Sequence, residues 1–112
     1  MTTEFKIFCG LDTNGHDEVD ARALVERLAL KHFPEGHSIA EETGRWALRD
    51  SQGPTPNVVT ETTLVVTWIS SEVYRTAKEA ELLVGRFAGA YKAKAFQESV
   101  LITRREIDCF FI

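Results

Sequence analysis

The order in which two hydrophobic periods alternate along the chain constrains its fold more than any other feature. A period of two residues predicts strands, because successive side chains of a strand point to opposite faces. Four segments have this period, at residues 5–11, 38–48, 60–69 and 99–112. Between the first and second segments, and between the third and fourth, apolar residues recur at the helical spacing of three and four. The predicted order is therefore β-α-β-β-α-β.

This order predicts a ferredoxin-like α+β sandwich, in which one antiparallel sheet carries two helices on one face. Each β-α-β crossover is expected to be right-handed, which places both helices on the same side. A chain of 112 residues has room for one hydrophobic core, so we expect a single domain. Residues 60–69 are rich in β-branched side chains and should form a central strand. The other face of the sheet is expected to be open.

Capping residues and helix breakers predict the ends of the two helices. Asp17 is a candidate N-cap for the first helix, which should end near Phe33 because Pro34 cannot continue it. Ser70 or Ser71 is a candidate N-cap for the second helix, whose apolar stripe covers roughly 23 residues. We therefore expect the second helix to be the longer one.

Glycine and arginine residues interrupt the regular patterns at three places. Gly44 predicts a β-bulge or a close approach in the second strand. Gly85 and Gly89 lie four residues apart on the second helix, which predicts that another element packs closely against them. Arg104 and Arg105 interrupt the last apolar segment. That segment is expected to form either one bulged strand or two short strands.

The charge and the apolar runs exclude several classes of partner. The formal net charge of −4 repels polyanions, so a DNA or RNA duplex is not expected to bind. No apolar run reaches the roughly 18 residues of a membrane span, so no membrane partner is expected. The first residues do not have the basic and apolar regions of a signal peptide, which predicts a cytoplasmic protein.

No pattern of cysteines or histidines indicates a metal or a cofactor. Cys9 and Cys109 both lie in apolar runs, which predicts buried free thiols. His16, His32 and His37 fall in different elements and lack the spacing of a zinc site. An activated pair of Cys9 with His32 or His37 is disfavoured, because an apolar environment destabilises the thiolate. We therefore expect no bound metal and no cofactor.

Arg45, Trp46 and Arg49 form the candidate ligand site, beside a proline-rich loop. An indole can stack on a base while guanidinium groups pair with phosphate, so this cluster is typical of a nucleotide pocket. In the alternative interpretation, Trp46 fills the core under the loop and both arginines are solvated. The two interpretations differ in whether the indole is available to a ligand.

Further candidates lie at Gln97, Arg104, Arg105 and Glu61. The amide of Gln97, at the junction of helix and strand, can bind either a ligand or the last helix carbonyls. Alternation places Arg104 and Arg105 on opposite faces of the sheet, so at most one of them reaches a given pocket. Glu61 has the chemistry of a general base, but an isolated carboxylate at the start of a strand more often forms a surface ion pair. No catalytic residue is assigned.

Four strings within residues 5–111 resemble a family of small bacterial and phage proteins of unknown function. They are Phe33-Pro34-Glu35-Gly36, Gly44-Arg45-Trp46, Glu61 at the start of the third strand, and Tyr91 through Phe96-Gln97-Glu98-Ser99-Val100-Leu101. The last string is the most specific. Some bacterial members resemble exported lipoproteins, whereas this sequence has no signal segment, so intracellular phage members are the nearer comparison. In size and β-rich composition the chain is also similar to the phage sponges that sequester cyclic-ADP-ribose-type signals of the Thoeris defence system.

These observations favour a non-enzymatic homo-oligomer that holds a small anionic ligand without changing it. Arginines beside a tryptophan, without an acid–base pair, are the basis of this interpretation. The similarity to the phage sponges implies that the ligand is a nucleotide-derived immune signal. Two other classes stay open, namely a small ferredoxin-like enzyme of the isomerase or monooxygenase kind and a structural or protein-interaction module. We expect a dimer, because the open sheet face would expose Trp68, or Val65 and Ile69.

Overall fold

The computed structural model describes residues 1–47, 58–110 and 112 of the chain. Its six elements follow the predicted order: β1 (Thr2–Gly10), α1 (Ala21–His32), β2 (Ser38–Ala47), β3 (Val58–Ser71), α2 (Ala77–Lys94) and β4 (Leu101–Ile107). The strands form one antiparallel sheet in the order β2-β3-β1-β4, so β3 is a central strand as predicted. The ferredoxin-like α+β fold is confirmed.

One face of the sheet is apolar because buried side chains alternate with more exposed ones along β1 and β3, and the register places the buried side chains of both strands on the same face. Their buried residues face each other across the two strands, Phe5 with Trp68, Ile7 with Val66 and Cys9 with Leu64. Both helices cover this face with buried stripes, which consist of Leu24, Val25 and Leu28 from α1 and Val84, Phe87 and Tyr91 from α2. The core therefore lies in a single layer between the sheet and the two helices.

Aromatic rings join the helices to the centre of the sheet. Phe33, which follows α1 directly, stacks on Trp68 with ring centroids 4.7 Å apart and tilts against Phe87 at 5.3 Å. Phe5 lies on the Trp68 ring from the neighbouring strand, at 5.8 Å. The guanidinium carbon of Arg75 is 5.0 Å from the centroid of the same indole. Trp68 is thus the contact shared by β1, α1 and the segment before α2.

Of the two alternatives for the exposed face, Trp68 or else Val65 and Ile69, the first is wrong. The Trp68 side chain is 2% exposed, because it points to the same face as Leu64 and Val66. Val65 points to the opposite face and is also 2% exposed, whereas Ile69 is 49% exposed. The argument for a dimer therefore depends on Ile69 and its neighbours, and a homo-oligomer stays a prediction.

The predicted N-caps are wrong at both helices, although the helices themselves are confirmed. Asp20, not Asp17, caps α1 by accepting the Ala23 N–H at 3.1 Å. Thr76 caps α2 by accepting the Glu79 N–H at 3.1 Å, because β3 pairs with β1 as far as Ser71 and holds the chain extended there. The second helix has 18 residues, fewer than its apolar stripe predicts.

The predicted interruptions of the strands are absent from the described part of β2 and β4. The register of β2 with β3 runs without a break through Gly44, which lies opposite Glu61. The seven residues of β4 pair in unbroken register with β1, so Arg104 and Arg105 belong to one regular strand. Polar residues are tolerated in β4 because it is an edge strand with mostly exposed side chains.

The close packing predicted at Gly85 and Gly89 is absent within the described chain. Both residues are exposed on α2, and no described atom outside the helix backbone lies within 4 Å of the point where a Cβ would be.

The prediction that both cysteines are buried is wrong for Cys109, which follows β4 and is exposed. Cys9 is buried as predicted, and burial raises the pKa of its thiol to about 12.

Replacing Gly85 or Gly89 by alanine should increase the free energy of unfolding by up to about 1 kcal/mol each, because an exposed helical glycine loses more backbone entropy than alanine. Denaturant unfolding followed by circular dichroism measures the change. Gly15→Ala is the matched control: its Cβ also enters open space, but the φ of +85° disfavours a side chain, so this variant should be destabilised. Destabilisation of both helix variants would show that these positions are packed.

Candidate functional site

The end of β1 brings together polar groups from three parts of the chain. Beyond the last paired residue, Gly10, the Leu11 N–H still donates to the Thr62 carbonyl at 3.0 Å. The next N–H, that of Asp12, donates instead to Oε1 of Glu61 at 3.3 Å. The side chain of Glu61 thus replaces a backbone carbonyl as the acceptor at this end of the strand pair.

Gly10 is the residue that makes room for this carboxylate. A Cβ built on Gly10 would lie 2.1 Å from Oε1 of Glu61 and 3.0 Å from Oε1 of Gln97. The first distance is far below van der Waals contact, so any larger residue would displace the carboxylate. Two acceptor oxygens, one charged and one neutral, thus converge on the space above Gly10.

Tyr91 anchors the end of β1 to the second helix. Its ring is buried in the core, and its hydroxyl donates to the carbonyl of Gly10. Burial raises the pKa of this hydroxyl strongly, and electrostatic coupling to the neighbouring Cys9 and Glu61 groups raises it further. The hydroxyl therefore stays protonated at physiological pH and remains a donor to the strand.

Gln97 lies three residues after the end of α2, and its side chain contacts the segment that follows β1. Its Nε2 donates to the carbonyl of Asp12 at 2.6 Å and to that of Ala95, the C-cap residue, at 3.0 Å. The predicted contact with the last helix carbonyls is confirmed by the second bond. Because the amide hydrogens are engaged in these bonds, Oε1 is the atom left to face Glu61 and a ligand.

Gly10, Asp12, Glu61, Tyr91 and Gln97 together form what we call the acceptor site. It adjoins a surface depression of about 280 Å³ that is lined by Leu11, Asp12, Val59, Thr60, Glu61 and Thr62. The Asp12 peptide joins the two acceptors, since its N–H holds Glu61 and its carbonyl holds Gln97. A lining of carboxylate and amide oxygens suits a ligand that brings hydrogen-bond donors or positive charge.

The predicted cluster of Arg45, Trp46 and Arg49 is only partly within the described chain. Arg45 is exposed on β2 opposite Thr60, and Trp46 lies opposite Val59. Both of these partners on β3 line the depression, so the two β2 residues are its neighbours in the sheet. Leu48, Arg49, the proline-rich loop that follows them and residue 111 lie outside the described residues. The nucleotide pocket stays a prediction.

Arg104 and Arg105 point to opposite faces of β4, as predicted, and neither is near Gln97. Arg104 forms an ion pair with Glu81 of α2, and Nε of Arg105 lies 3.0 Å from Oε1 of Glu4 on the other face. Their positions opposite the first half of β1 place them roughly 17 Å or more from Gly10 along the strand. Both line one separate depression of about 290 Å³, so the expectation that at most one of them reaches a given pocket is wrong.

Sequence reasoning missed most of the acceptor site. Glu61 was expected in a surface ion pair, but it is half-buried and accepts the Asp12 N–H. Tyr91 stands in the resemblance strings without an assigned role in a site. Two signals were available: a glycine at the end of an alternating strand, which marks a close approach of another group, and the presence of Glu61, Tyr91 and Gln97 together in the strings that carry the family resemblance.

The described residues contain neither a metal-binding group of side chains nor a membrane-spanning helix. Among residues 1–47, 58–110 and 112, no three His, Cys, Asp or Glu side chains are grouped so that they could hold a metal ion. Neither α1 nor α2 is long and apolar enough to cross a bilayer.

The fold places the chain among small ferredoxin-like α+β domains, and no protein-family model and no curated protein matches it. Among solved structures, it is similar to a phage SAM lyase in complex with S-methyl-5′-thioadenosine, with 16% identity and a TM-score of 0.68, over 94% of this chain and 81% of that one. It is similar to the divalent cation tolerance protein CutA from Archaeoglobus fulgidus, with 15% identity and a TM-score of 0.53, over 99% and 88% of the two chains. A complex of Bacillus subtilis GlnK with ATP matches with 8% identity and a TM-score of 0.51, over 93% and 81%.

Because the sequence identities are 16% or less, these similarities show only that the proteins share a fold. A phage protein is among the structural neighbours, which agrees with the coarse part of the resemblance found in the sequence. A relation to the Thoeris sponges has no support among these matches.

Replacing Gly10 by alanine tests the convergence of Glu61 on this residue. In the wild-type background the new Cβ displaces the carboxylate and breaks its bond to Asp12, which should cost about 0.5–1.5 kcal/mol of unfolding free energy. In a Glu61→Ala background the same change should be neutral or stabilising, because alanine is favoured over glycine in a strand by roughly 0.5–1 kcal/mol. Denaturant melts of the four proteins measure the coupling. Equal effects in both backgrounds would contradict the geometry.

Proposed function

We propose that the protein binds S-adenosylmethionine at the acceptor site and cleaves it to S-methyl-5′-thioadenosine. The observation that carries the proposal is the convergence of the Glu61 and Gln97 oxygens on the space above Gly10. The structural similarity to a phage SAM lyase bound to S-methyl-5′-thioadenosine supports the choice of ligand.

The polarity of the acceptor site favours this ligand over a phosphorylated one. S-adenosylmethionine carries a positive sulfonium, an ammonium group, two ribose hydroxyls and an adenine amine, which are cations or donors, together with one carboxylate, so the molecule as a whole is a cation at neutral pH. The site offers the Glu61 carboxylate, the Gln97 amide oxygen and the exposed Asp12 carboxylate. Bonds from donors to a carboxylate are stronger than those between neutral groups. A phosphate in the same place would be repelled by both carboxylates.

The reaction is compatible with a site that contains no paired acid and base. When the bond between the sulfonium sulfur and the γ-carbon breaks, its electron pair goes to sulfur, which leaves as a neutral thioether and needs no proton. The four-carbon fragment is completed either by attack of its own carboxylate on the γ-carbon, which forms a lactone, or by loss of a β-proton to a base. Glu61 is the group in the acceptor site that can take this proton. On the first route the protein acts by holding the substrate in a folded conformation.

Glu61→Gln tests the proposal, since it keeps the size of the side chain and removes its charge. We expect the wild-type protein to produce S-methyl-5′-thioadenosine from S-adenosylmethionine, and the variant to bind the substrate at least about tenfold more weakly, because hydrogen bonds to charged groups contribute roughly 1.5–3 kcal/mol. Calorimetry measures binding, and mass spectrometry of the supernatant identifies both products. A lactone or an unsaturated amino acid in the product mixture identifies the route.

Glu42→Gln is the matched control, because Glu42 is an exposed carboxylate on the neighbouring strand β2. It should bind and cleave like the wild type. Absence of both binding and cleavage in the wild type would refute the proposal, and binding without cleavage would reduce it to sequestration of the substrate.

The second candidate function is sequestration of a nucleotide-derived signal by Arg45, Trp46 and Arg49. It is favoured by the exposure of Arg45 beside the depression, opposite Thr60. On this hypothesis, cyclic and linear nucleotides, including ADP-ribose derivatives, should raise the melting temperature of the wild type. Arg45→Ala should abolish the increase without changing the melting temperature of the free protein, because an exposed side chain contributes little to folding. No increase with any of these nucleotides would exclude it.

A homo-oligomer is also part of the proposal. Ile69 and Leu101 are exposed on the strands of the sheet, and exposed apolar side chains of this kind favour association. The ligand in either function is a small molecule, and neither function requires a cofactor or a metal.

A further inference from the structure

Within residues 1–47, 58–110 and 112, two residues other than glycine adopt the left-handed backbone conformation, and a hydrogen bond joins them. Asn14, in the loop between β1 and α1, has a φ of +53°, and Phe96, just after α2, has a φ of +56°. Nδ2 of Asn14 donates to the carbonyl of Phe96. Left-handed residues of this kind are strained and persist only where their surroundings hold them. For phenylalanine, which has no side-chain polar atom to assist, the contact partners must provide this support.

The ring of His16 completes the connection between the two segments. It lies on the Phe96 ring with centroids 3.5 Å apart and an interplanar angle of 9°. Two hydrogen bonds between residues close in the sequence order the loop that carries Asn14 and His16. The Asn14 N–H donates to Oδ1 of Asp12 at 2.9 Å, and the Thr13 hydroxyl donates to the His16 carbonyl at 2.9 Å. We call Asn14, His16 and Phe96 the clasp.

The clasp lies next to both acceptors of the proposed site. Asp12 precedes Asn14 by two residues, and its peptide holds Glu61 through the N–H and Gln97 through the carbonyl. Gln97 directly follows Phe96, so the backbone direction at Phe96 decides where the amide side chain begins. Its own N–H donates to the carbonyl of Lys92 at 3.0 Å, which fixes the backbone of this turn against the end of α2.

We propose that the clasp positions the Gln97 amide, and through the Asp12 peptide the Glu61 carboxylate, for ligand binding. Asn14, His16 and Phe96 are thus positioning residues that act through Asp12 and Gln97. The importance of this arrangement for a ligand rests on the proposed function, whereas the arrangement itself can be tested without a ligand. A site whose two oxygens are held in advance loses less entropy when the ligand binds.

Asn14→Gly is the sharpest variant, because glycine adopts a positive φ without strain and only the bond to Phe96 is lost. In ¹⁵N-labelled wild-type protein, the Gln97 side-chain amide should exchange slowly and resonate away from free glutamine. In the variant it should exchange at least about tenfold faster, because loss of the Asn14 bond lets the turn that carries Gln97 open more often. Phe96→Gly, which removes the ring and keeps the backbone angle, should have the same effect. Unchanged exchange of the Gln97 amide in both variants would overturn the proposal.

Asp17→Asn is the control, since Asp17 is an exposed residue of the same loop and lies outside the clasp. Its Gln97 amide should behave as in the wild type. A loss of protection equal to that in Asn14→Gly would show that the loop responds to any change, and would overturn the specific role of the clasp.

The consequence for binding is tested with S-methyl-5′-thioadenosine as the probe, in a cycle of Asn14→Gly and Gln97→Ala. Asn14→Gly should weaken binding about tenfold in the wild-type background and have no effect when Gln97 is already alanine, because it acts through that residue. Additive effects would overturn the positioning role. If the wild-type protein binds neither this probe nor S-adenosylmethionine, the proposed function fails, and the exchange measurement alone then decides whether the clasp positions Gln97.

Discussion

The apolar face shared by β1 and β3 supports every other element of the domain. These two strands lie in the centre of the sheet, and their buried residues meet in pairs across the register. Trp68 joins three segments of the chain, because Phe5, Phe33 and Arg75 all lie against its ring. Burial of such large aromatic side chains provides much of the stabilisation in a domain of this size. The edge strands β2 and β4 add hydrogen bonds to this centre and bury less.

The same core determines where a site can form. Tyr91 belongs to the buried stripe of α2, yet its hydroxyl reaches the last residue of β1 and donates to the carbonyl of Gly10. This bond holds the end of the strand against the end of the helix. The polar residues that follow each element, Asp12 after β1 and Gln97 after α2, are thereby brought within hydrogen-bond distance of each other. The acceptor site therefore forms because the Tyr91 hydroxyl, at the edge of the core, holds the end of β1 beside the end of α2.

Two regions of opposite polarity lie near the depression next to β3. Arg45 lies on β2 and would attract an anion, whereas the acceptor site presents the carboxylates of Glu61 and Asp12. An argument from sequence favours the arginine cluster, since guanidinium groups beside a tryptophan form a recognisable local pattern. The acceptor site forms no such pattern, because Gly10, Glu61 and Gln97 are separated by 36 residues or more along the chain. Their chemistry appears only when the strands and the second helix are assembled.

The sequence by itself determined the order of elements, the fold class and the central place of β3, because hydrophobic periodicity records which faces are buried. It also predicted that Gln97 contacts the helix end and that Arg104 and Arg105 diverge, since both follow from local geometry. Caps were misplaced because several residues near each helix are able to act as caps, and the extent of β3 decides which one does. Only the tertiary structure decided that Trp68 is buried, that Gly10 admits two acceptor oxygens, and that Asn14 meets Phe96. Each of these depends on a register or a contact between distant segments, which no local pattern of residues contains.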